Sequence, residues 1–215
     1  MEKTWTWTER QVARYDWWTA KEEGLYYARY NDLLDLVVVR CQVRAGDKVL
    51  DIGTGTGELA CRFARNRGCD VVGLDPSPAM IEAALRKGEG NSRGTVSFRV
   101  AEAPFLEIPY SSCSFDAVAS TQAFHHLHER HKPASVREMA RVLKEGGRLA
   151  IGDPMFHDRA DLEAALARWP DELEEEYFAY LDTLAPMFHE AGLMFEAEQL
   201  TDINWVVWGE KCQKM

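Results

Sequence analysis

The feature that most constrains the fold is a glycine-rich turn placed directly after a short apolar run. Residues 48–60 read KVLDIGTGTGELA, in which Gly53, Gly55 and Gly57 are spaced as G-x-G-x-G. Glycine tolerates left-handed backbone torsions, so a turn of this kind lets backbone N–H groups close around a nucleotide-derived ligand. Similar turns also serve only to lead a strand into a helix. The turn therefore predicts a strand–loop–helix unit, with ligand binding as one of two interpretations.

Short apolar runs alternate with helical patterns after residue 46. Most of these runs are nearly continuous, as expected for strands covered on both faces. Alternating strands and helices predict right-handed βαβ crossovers and a mostly parallel sheet, and hence an α/β fold. The predicted strands, of which the last two follow the alternating region, are KVLDI (48–52), DVVGLD (70–75), VSFRV (96–100), FDAVAS (115–120), RLAIGD (148–153), MFEAEQL (194–200) and NWVVWGE (204–210).

Capping residues predict where several helices begin and end. Ser77 and Pro78 are typical of a helix N-terminus, and Gly88 predicts the end of that helix. Another helix is expected to begin at Pro133 and to be closed by Gly146. Helical spacing of apolar residues predicts two further helices, over 158–169 and over 171–191, the second broken near Pro186.

Length and composition fit one globular domain. The chain has 215 residues, of which 46% are hydrophobic and 28% charged, and its formal net charge is −10. An acidic protein without an extended basic patch repels phosphate backbones, so nucleic acid is not an expected partner. Five widely spaced cysteines without CxxC spacing are typical of reduced thiols. With no signal peptide and no apolar run long enough to span a membrane, the sequence predicts a cytoplasmic protein.

Acidic residues around the glycine turn distinguish between two classes of nucleotide ligand. A dinucleotide fingerprint reads G-x-G-x-x-G, whereas Glu58 follows the third glycine here and Asp51 lies two residues before the first. Carboxylates at these places are poor neighbours for a pyrophosphate but suit a cationic amine. Asp75, at the end of the second predicted strand, is placed to accept both ribose hydroxyls. These residues favour a ligand that joins adenosine to an amino acid without phosphate, as S-adenosylmethionine (AdoMet) does.

Four segments occur in the order and spacing of a known family. VLDIGTGTGELA, GLDPSPAMIEAA, VAEAPFLEIPYSSCSFDAV and MARVLKEGGRLAIGD resemble successive motifs of the class I AdoMet-dependent methyltransferases. The later segments EEYFAYLDTLAPMFHEAGL and NWVVWGEK are similar to small bacterial members of the YrrT-like kind. The resemblance implies a Rossmann-like, seven-stranded, mostly parallel sheet and methyl transfer from AdoMet.

The resemblance also implies which residues bind the cofactor. The loop from Asp51 to Gly57 would wrap the methionine part of AdoMet, and Asp75 would hold the ribose hydroxyls. Pro76 and Met80 would line the adenosine, and the backbone near Thr121 would face the amino acid end. The implied cofactor-binding residues in these segments are Asp51, Gly53, Thr54, Gly55, Gly57, Asp75, Pro76, Met80, Ala101, Glu102, Ala103 and Thr121.

A histidine-rich segment, STQAFHHLHERHK, follows the fourth predicted strand, where open α/β sheets place their ligands. The spacing of its four histidines does not bring all of them to one face, so no metal is expected there. His125 or His126 is the better candidate for a catalytic general base, because histidine accepts a proton near neutral pH. The alternative is a histidine that only packs within the loop. Asp153 either faces the acceptor or only caps its turn.

The first 45 residues predict an aromatic helical cap ahead of an AdoMet-binding domain over 46–215. Tyr15 is expected to contact the cofactor and Tyr30 to shape the acceptor pocket, unless the rings simply fill space against the sheet. A hinge around residues 43–47 would let the cap close over the site. The aromatic residues of the cap are Trp5, Trp7, Tyr15, Trp17, Trp18, Tyr26, Tyr27 and Tyr30.

The sequence as a whole predicts a one-domain enzyme, monomeric or homodimeric, that transfers a methyl group from AdoMet to a small-molecule acceptor without a metal. It does not identify the acceptor. Two alternatives stay open. One is a catalytically silent AdoMet-binding or scaffold protein, and the other, which the glycine spacing disfavours, is a nicotinamide-dependent oxidoreductase.

Overall fold

The computed structural model describes residues 7–90, 93–173 and 176–213 and shows a sheet covered by helices on both faces. The α-helices are α1 (Glu9–Lys21), α2 (Gly24–Tyr27), α3 (Tyr30–Arg40), α4 (Glu58–Arg67), α5 (Pro78–Gly88), α6 (Lys132–Val142), α7 (Arg159–Arg168) and α8 (Leu181–Glu190). The strands are β1 (Lys48–Ile52), β2 (Asp70–Asp75), β3 (Thr95–Val100), β4 (Phe115–Thr121), β5 (Leu143–Phe156), β6 (Ala179–Tyr180), β7 (Glu196–Gln199) and β8 (Asn204–Glu210). Two short 3-10 helices lie at Phe124–His126 and Glu129–His131.

The strands form one sheet in the order β3-β2-β1-β4-β5-β8-β7. The first five strands of this order are parallel, whereas β8 runs antiparallel to both β5 and β7. The two-residue strand β6 pairs with the end of β5. The predicted α/β fold with a mostly parallel sheet is confirmed, and β6 adds a short strand to the seven predicted ones.

Strand register brings the carboxyl ends of β1, β2 and β4 to one edge of the sheet. Ile52 pairs with Leu74 of β2, and Asp51 pairs with Ala119 of β4. The glycine loop, Asp75 and the histidine-rich segment therefore leave the sheet side by side. This is the edge at which open α/β sheets bind ligands.

Successive residues of β1 point to opposite faces of the sheet and belong to the two hydrophobic cores on those faces. Val49 packs with α3 and α4 on one face, and Leu50 packs with α6 and α8 on the other. Both side chains are fully buried, which explains the uninterrupted apolar run of this strand. Among the described helices, none combines the length and the apolar character needed to cross a membrane.

Strand pairing ends α6 earlier than the sequence predicts. The prediction closes this helix at Gly146, but the helix ends at Val142 and Leu143 already has the extended torsions φ −70° and ψ 138°. Leu143 is fully buried and pairs with Phe115 of β4. Gly146 instead adopts φ +75° within the early part of β5. The helix prediction that begins at Ser77 and ends at Gly88 agrees with α5, in which Ser77 is the N-cap.

Of the helix predicted over 171–191, only the second half is helical in the structure, as α8. The described residues before α8 are a turn and irregular backbone, followed by β6. The apolar side chains there bury against Phe156 in a separate cluster, so their helical spacing is coincidental. Pro186 does not break α8, since the helix continues through it. Pro186 is exposed, so the carbonyl group that lacks a helical N–H partner lies on the solvent side.

Candidate functional site

The glycine loop between β1 and α4 is held in a conformation that requires glycine. Gly53, Gly55 and Gly57 have φ values of +69°, +53° and +82°. A side chain at Gly53 would collide with Ala123, and a Cβ atom at Gly57 would lie 2.8 Å from the ring of Phe98. The glycines therefore serve both torsion and close packing.

Asp75 at the end of β2 is fixed by two backbone donors. The N–H of Gly55 donates to its Oδ2 at 2.9 Å, and the N–H of Ser77 donates to its Oδ1 at 2.9 Å. Burial raises the pKa of this carboxyl group, and the two N–H donors oppose that shift. Each carboxylate oxygen can accept a further hydrogen bond, so Asp75 is oriented in advance for a ligand's hydroxyl groups.

Asp51 lies beneath the glycine loop and is 1% exposed. The hydroxyl group of Thr54 donates to its Oδ2 at 2.6 Å, while its Oδ1 is buried without a hydrogen-bond partner among the described residues. Burial raises the pKa of Asp51 to about 7, the charge of Asp75 adds to the shift, and the hydroxyl group of Thr54 and the backbone N–H of Ala60 oppose it. A buried acceptor atom without a donor is costly, so this oxygen fits a cationic ligand group or a water molecule.

A cavity of about 560 Å³ opens beside the loop, a volume within the usual range for small-molecule sites. One half lies at the ends of β1 and β2, and the other lies beside the segments that follow β4. The first half is lined by Trp7, Tyr15, Gly53, Gly55, Asp75 and Met80. The remaining lining residues are Trp18, Glu23, Gly24, Leu25, Tyr26, Tyr27, Gln122, Ala123, His125, His126, Glu172 and Glu176.

Helix α1 covers the glycine loop. The Thr56 hydroxyl group donates to Asp16 Oδ1 at 2.6 Å, and Lys87 Nζ of α5 donates to the same oxygen at 3.2 Å and to Thr56 Oγ1 at 2.9 Å. The residue before Asp16 in α1 is Tyr15, and its hydroxyl group lies 3.4 Å from that of Tyr30. The cap thus contacts the loop through one polar cluster and one aromatic cluster.

His125 is paired with a fully buried carboxylate at the acceptor side of the cavity. Its Nδ1 lies 2.7 Å from Asp153 Oδ1, and its backbone N–H donates to Asp153 Oδ2 at 2.6 Å. Asp153 lies on β5, so neighbouring strands fix the two residues relative to each other. A carboxylate at Nδ1 holds the proton on that nitrogen, which leaves Nε2 as the proton acceptor of the neutral ring.

His126 and Lys132 surround this pair. His126 Nδ1 lies 3.8 Å from Glu176 Oε2. Burial and the neighbouring His125 lower the pKa of His126, while Glu176 opposes that shift. Lys132 is buried and donates from Nζ to the carbonyl oxygen of Phe124 at 2.7 Å, and burial lowers its pKa to about 8. Lys132 thereby holds the short helix that carries both histidines.

Comparison with known proteins identifies the family. A family model described as a methyltransferase domain matches residues 49–147. An uncharacterized methyltransferase of Geobacillus thermodenitrificans is 33% identical over 194 residues, which cover 85% of this chain and 86% of that protein. The uncharacterized methyltransferase YrrT of Bacillus subtilis is 27% identical, with 83% of this chain and 82% of YrrT covered. The chain belongs to the AdoMet-dependent methyltransferases.

Two further comparisons concern proteins with named reactions. The 27-O-demethylrifamycin SV methyltransferase of Amycolatopsis mediterranei is 36% identical over 176 residues, which cover 80% of this methyltransferase and 62% of that enzyme. A Haemonchus contortus phosphoethanolamine N-methyltransferase 2, solved with S-adenosyl-L-methionine, shares the fold with a TM-score of 0.75 at 19% identity; 96% of this chain and 58% of that chain are covered. The predicted resemblance to class I, YrrT-like methyltransferases is confirmed, and the oxidoreductase and scaffold alternatives gain no support.

Several residues assigned from the sequence meet in the cavity of the methyltransferase. Its lining includes five predicted cofactor-binding residues and both predicted catalytic histidines, namely Tyr15, Gly53, Gly55, Asp75, Met80, His125 and His126. Asp51, Thr54 and Gly57 support the loop without lining the cavity. Tyr30, expected in the acceptor pocket, is buried behind Tyr15, and Trp5 lies outside the described residues.

The remaining predicted cofactor residues lie outside the lining of the cavity. Pro76 and Glu102 are exposed, Ala101 and Ala103 are partly buried, and Thr121 is buried at the end of β4. The Ala101 N–H donates to the carbonyl oxygen of Asp75 at 3.0 Å, so this segment, which follows β3 in the chain, lies beside the end of β2. Three roles therefore stay predictions: Pro76 at the adenosine, the segment from Ala101 to Ala103 at the adenine edge, and the backbone near Thr121 at the amino acid end of the cofactor.

Gln122 is a lining residue that the sequence interpretation missed. Its Nε2 donates to the carbonyl oxygen of Tyr26 at 3.0 Å and to Asn204 Oδ1 at 2.9 Å. Asn204 Nδ2 also donates to the Tyr26 carbonyl oxygen at 3.0 Å. These bonds anchor α2 to the sheet and place the Tyr26 ring 6.2 Å from that of His125. The only available signal was a polar residue directly after a buried strand.

Among the described residues, no group of three or more His, Cys, Asp or Glu side chains has the geometry of a metal site.

Proposed function

We propose that this methyltransferase binds AdoMet across the glycine loop and transfers its methyl group to a small molecule held beside His125. The observation that carries the proposal is the orientation of Asp75 by the N–H groups of Gly55 and Ser77. Two free lone pairs at a strand end suit a vicinal diol, as in ribose. The unpaired Oδ1 of Asp51 supports a cationic amine at the other end of the ligand.

Methyl transfer from a sulfonium is a single displacement, so positioning supplies most of the rate. Tyr15 and Trp7 of the cap exclude water from the cofactor half, and Met80 packs against the adenosine. His125 accepts a proton from the attacking atom at Nε2, while Asp153 fixes the ring and stabilises the charge that forms. AdoMet carries its own electrophile, so no metal is needed and activity is expected to survive chelation.

Calorimetry with AdoMet, S-adenosylhomocysteine and NAD tests the cofactor assignment. Asp75→Ala removes two charge-assisted hydrogen bonds, each worth about 1.5–3 kcal/mol, and should weaken AdoMet binding by roughly a hundredfold or more. Asp70→Ala, at the exposed start of the same strand, is the matched control and should bind normally. Thermal melting of each variant without ligand separates lost binding from lost folding. NAD binding that is tighter than AdoMet binding would refute the proposal.

A scaffold protein would bind AdoMet without turnover. Incubation with methyl-labelled AdoMet and a fractionated cell extract should yield S-adenosylhomocysteine together with a labelled small molecule. Tight AdoMet binding with no transfer to any fraction would favour the scaffold alternative.

A further inference from the structure

The acceptor half of the cavity carries a charge pattern that restricts the substrate. This half adjoins β4 and β5, whereas the loop and Asp75 occupy the β1 and β2 side. It contains the carboxylates of Glu23, Glu172 and Glu176. Glu176 has a side chain that is 9% exposed and lies deep in the cavity, while the other two are exposed at the rim.

No lysine or arginine is among the described residues that line the cavity. The nearby cations are directed elsewhere. The guanidinium of Arg14 lies 4.4 Å from the centroid of the Trp18 ring without lining the cavity, and Lys132 Nζ is bonded to the Phe124 carbonyl oxygen. A phosphate or carboxylate on the acceptor would thus meet three carboxylates and no fork of cationic donors.

An aromatic ring supplies a second feature that suits a cation. Tyr26 lines the same half, and its ring centroid lies 6.2 Å from that of His125. The face of an aromatic ring attracts an organic cation, and the attraction grows where water is excluded. A neutral hydroxyl group can donate a hydrogen bond to a carboxylate, but it gains less than an ammonium cation does from both the carboxylates and the aromatic ring.

We propose that the acceptor is an amine that enters as an ammonium cation and carries neither phosphate nor carboxylate. This inference rests on the proposed function. The ammonium group is drawn in by Glu176 and the rim carboxylates, and it loses one proton to His125. The freed nitrogen lone pair forms the N–CH₃ bond while the C–S bond breaks, and its electron pair stays on sulfur. The products are a methylated ammonium ion, S-adenosylhomocysteine and the proton on His125, which passes to water.

Binding of matched probes to the protein saturated with S-adenosylhomocysteine tests the charge preference. Phenethylamine, phenylethanol and phenylacetate share one skeleton and differ in charge. The amine should bind at least about tenfold more tightly than the alcohol, and the acid should bind most weakly. Glu176→Gln should reduce the preference for the amine by about tenfold, whereas Glu163→Gln, on the exposed face of α7, should leave it unchanged.

Turnover of matched pools gives an independent result. Amines of varied skeleton, the corresponding alcohols and the corresponding acids are incubated with methyl-labelled AdoMet, and label should appear in the amine pool. Label mainly in the alcohols or acids, or equal binding of the three probes with S-adenosylhomocysteine bound, would overturn the amine assignment alone. Failure of S-adenosylhomocysteine to bind would instead overturn the proposed function, and the amine assignment with it.

Discussion

Asp51 is the residue whose protonation should report cofactor binding. Its pKa is raised by burial to about 7, above the value of about 3.9 in an unfolded chain. The folded protein thus holds this proton more tightly. The resulting stabilisation is present below the unfolded pKa and is lost as pH rises through about 7. A cationic amine on Oδ1 favours the ionised form, so binding and ionisation are coupled.

We therefore predict proton release when AdoMet binds at about pH 6, where Asp51 of the free protein is largely protonated. Calorimetry in two buffers of different ionisation enthalpy measures the number of protons released. Asp51→Asn should abolish the release, weaken AdoMet binding and make the free protein more resistant to heat at about pH 8, where the native carboxylate is charged. Equal proton release by both proteins would show that another group is responsible.

The pairing of His125 with Asp153 makes a separate residue-scale prediction. With an acceptor found by label transfer, His125→Ala should lower kcat by about a hundredfold or more and leave AdoMet affinity unchanged. Asp153→Asn should lower kcat as well and alter its pH profile, because the ring loses the partner that fixes its tautomer. His157→Ala, at an exposed histidine, is the control. Unchanged kcat in His125→Ala would mean that this histidine only packs within its loop.

At the scale of single elements, the sequence predicts best what is local in the chain. The G-x-G-x-G turn, Ser77 and Asp75 each lie within a few residues of a strand end. Their residue types and spacing were therefore sufficient to predict where they lie in the fold. The bond between His125 and Asp153 spans 28 positions and the bond between Gln122 and Asn204 spans 82. Such pairs follow from strand order, which periodicity does not reveal. The pairing of Leu143 with β4 likewise ends α6 before Gly146, the residue at which the sequence predicted the end of this helix.

Burial argues for a hinge of the cap at a place other than residues 43–47. A hinge at 43–47 would have to carry α3, yet Leu33, Leu34 and Val37 of that helix are fully buried in the main core. The turn itself is tied down, since the Gly46 N–H donates to the Gly68 carbonyl oxygen at 2.9 Å. Left-handed torsions occur at the junction of α1 and α2, with φ +54° at Glu22 and +78° at Gly24, as they also do at Gln42 and Gly46. Burial therefore distinguishes the two places, because Val12 and Thr19 are the buried residues of α1. We therefore expect movement of the cap to be confined to α1.

The contact of Asp16 with Thr56 and Lys87 is weak enough to open. Asp16 and Lys87 are partly exposed, and an ion pair of that kind contributes about 0–1 kcal/mol. Asp16→Ala should raise the rate of tryptic cleavage at Arg10 and Arg14 by about two- to fivefold in the free protein. S-adenosylhomocysteine should slow cleavage in both proteins by holding α1 through Tyr15. The control is Asp32→Ala, which removes an exposed ion pair on α3. Equal cleavage rates with and without S-adenosylhomocysteine would show that α1 does not move.

At the scale of the whole molecule, the alternation of strands and helices predicted the sheet but not how the first helices share its core. The expected division into a cap over 1–45 and a domain over 46–215 follows chain order. Burial groups α3 with the sheet, because a Cβ atom on Gly152 of β5 would lie 2.9 Å from Val37. Aromatic richness alone could not separate α1, which covers the cavity, from α3, which covers the sheet.

Two truncations distinguish these divisions. Each fully buried leucine or valine contributes about 1.5–3 kcal/mol, so removing Leu33, Leu34 and Val37 forfeits an amount comparable with the whole stability of a domain, about 5–15 kcal/mol. A variant lacking residues 1–45 should therefore not melt cooperatively. A variant lacking residues 1–22 should retain a cooperative transition, because the bonds from Gln122 and Asn204 still hold α2 at Tyr26. It should bind S-adenosylhomocysteine more weakly, since Trp7 and Tyr15 no longer cover the cofactor half. Calorimetry measures the thermal transition and the ligand affinity of both variants. A cooperative transition in the variant lacking residues 1–45 would show that α3 belongs to the cap and not to the core of the domain.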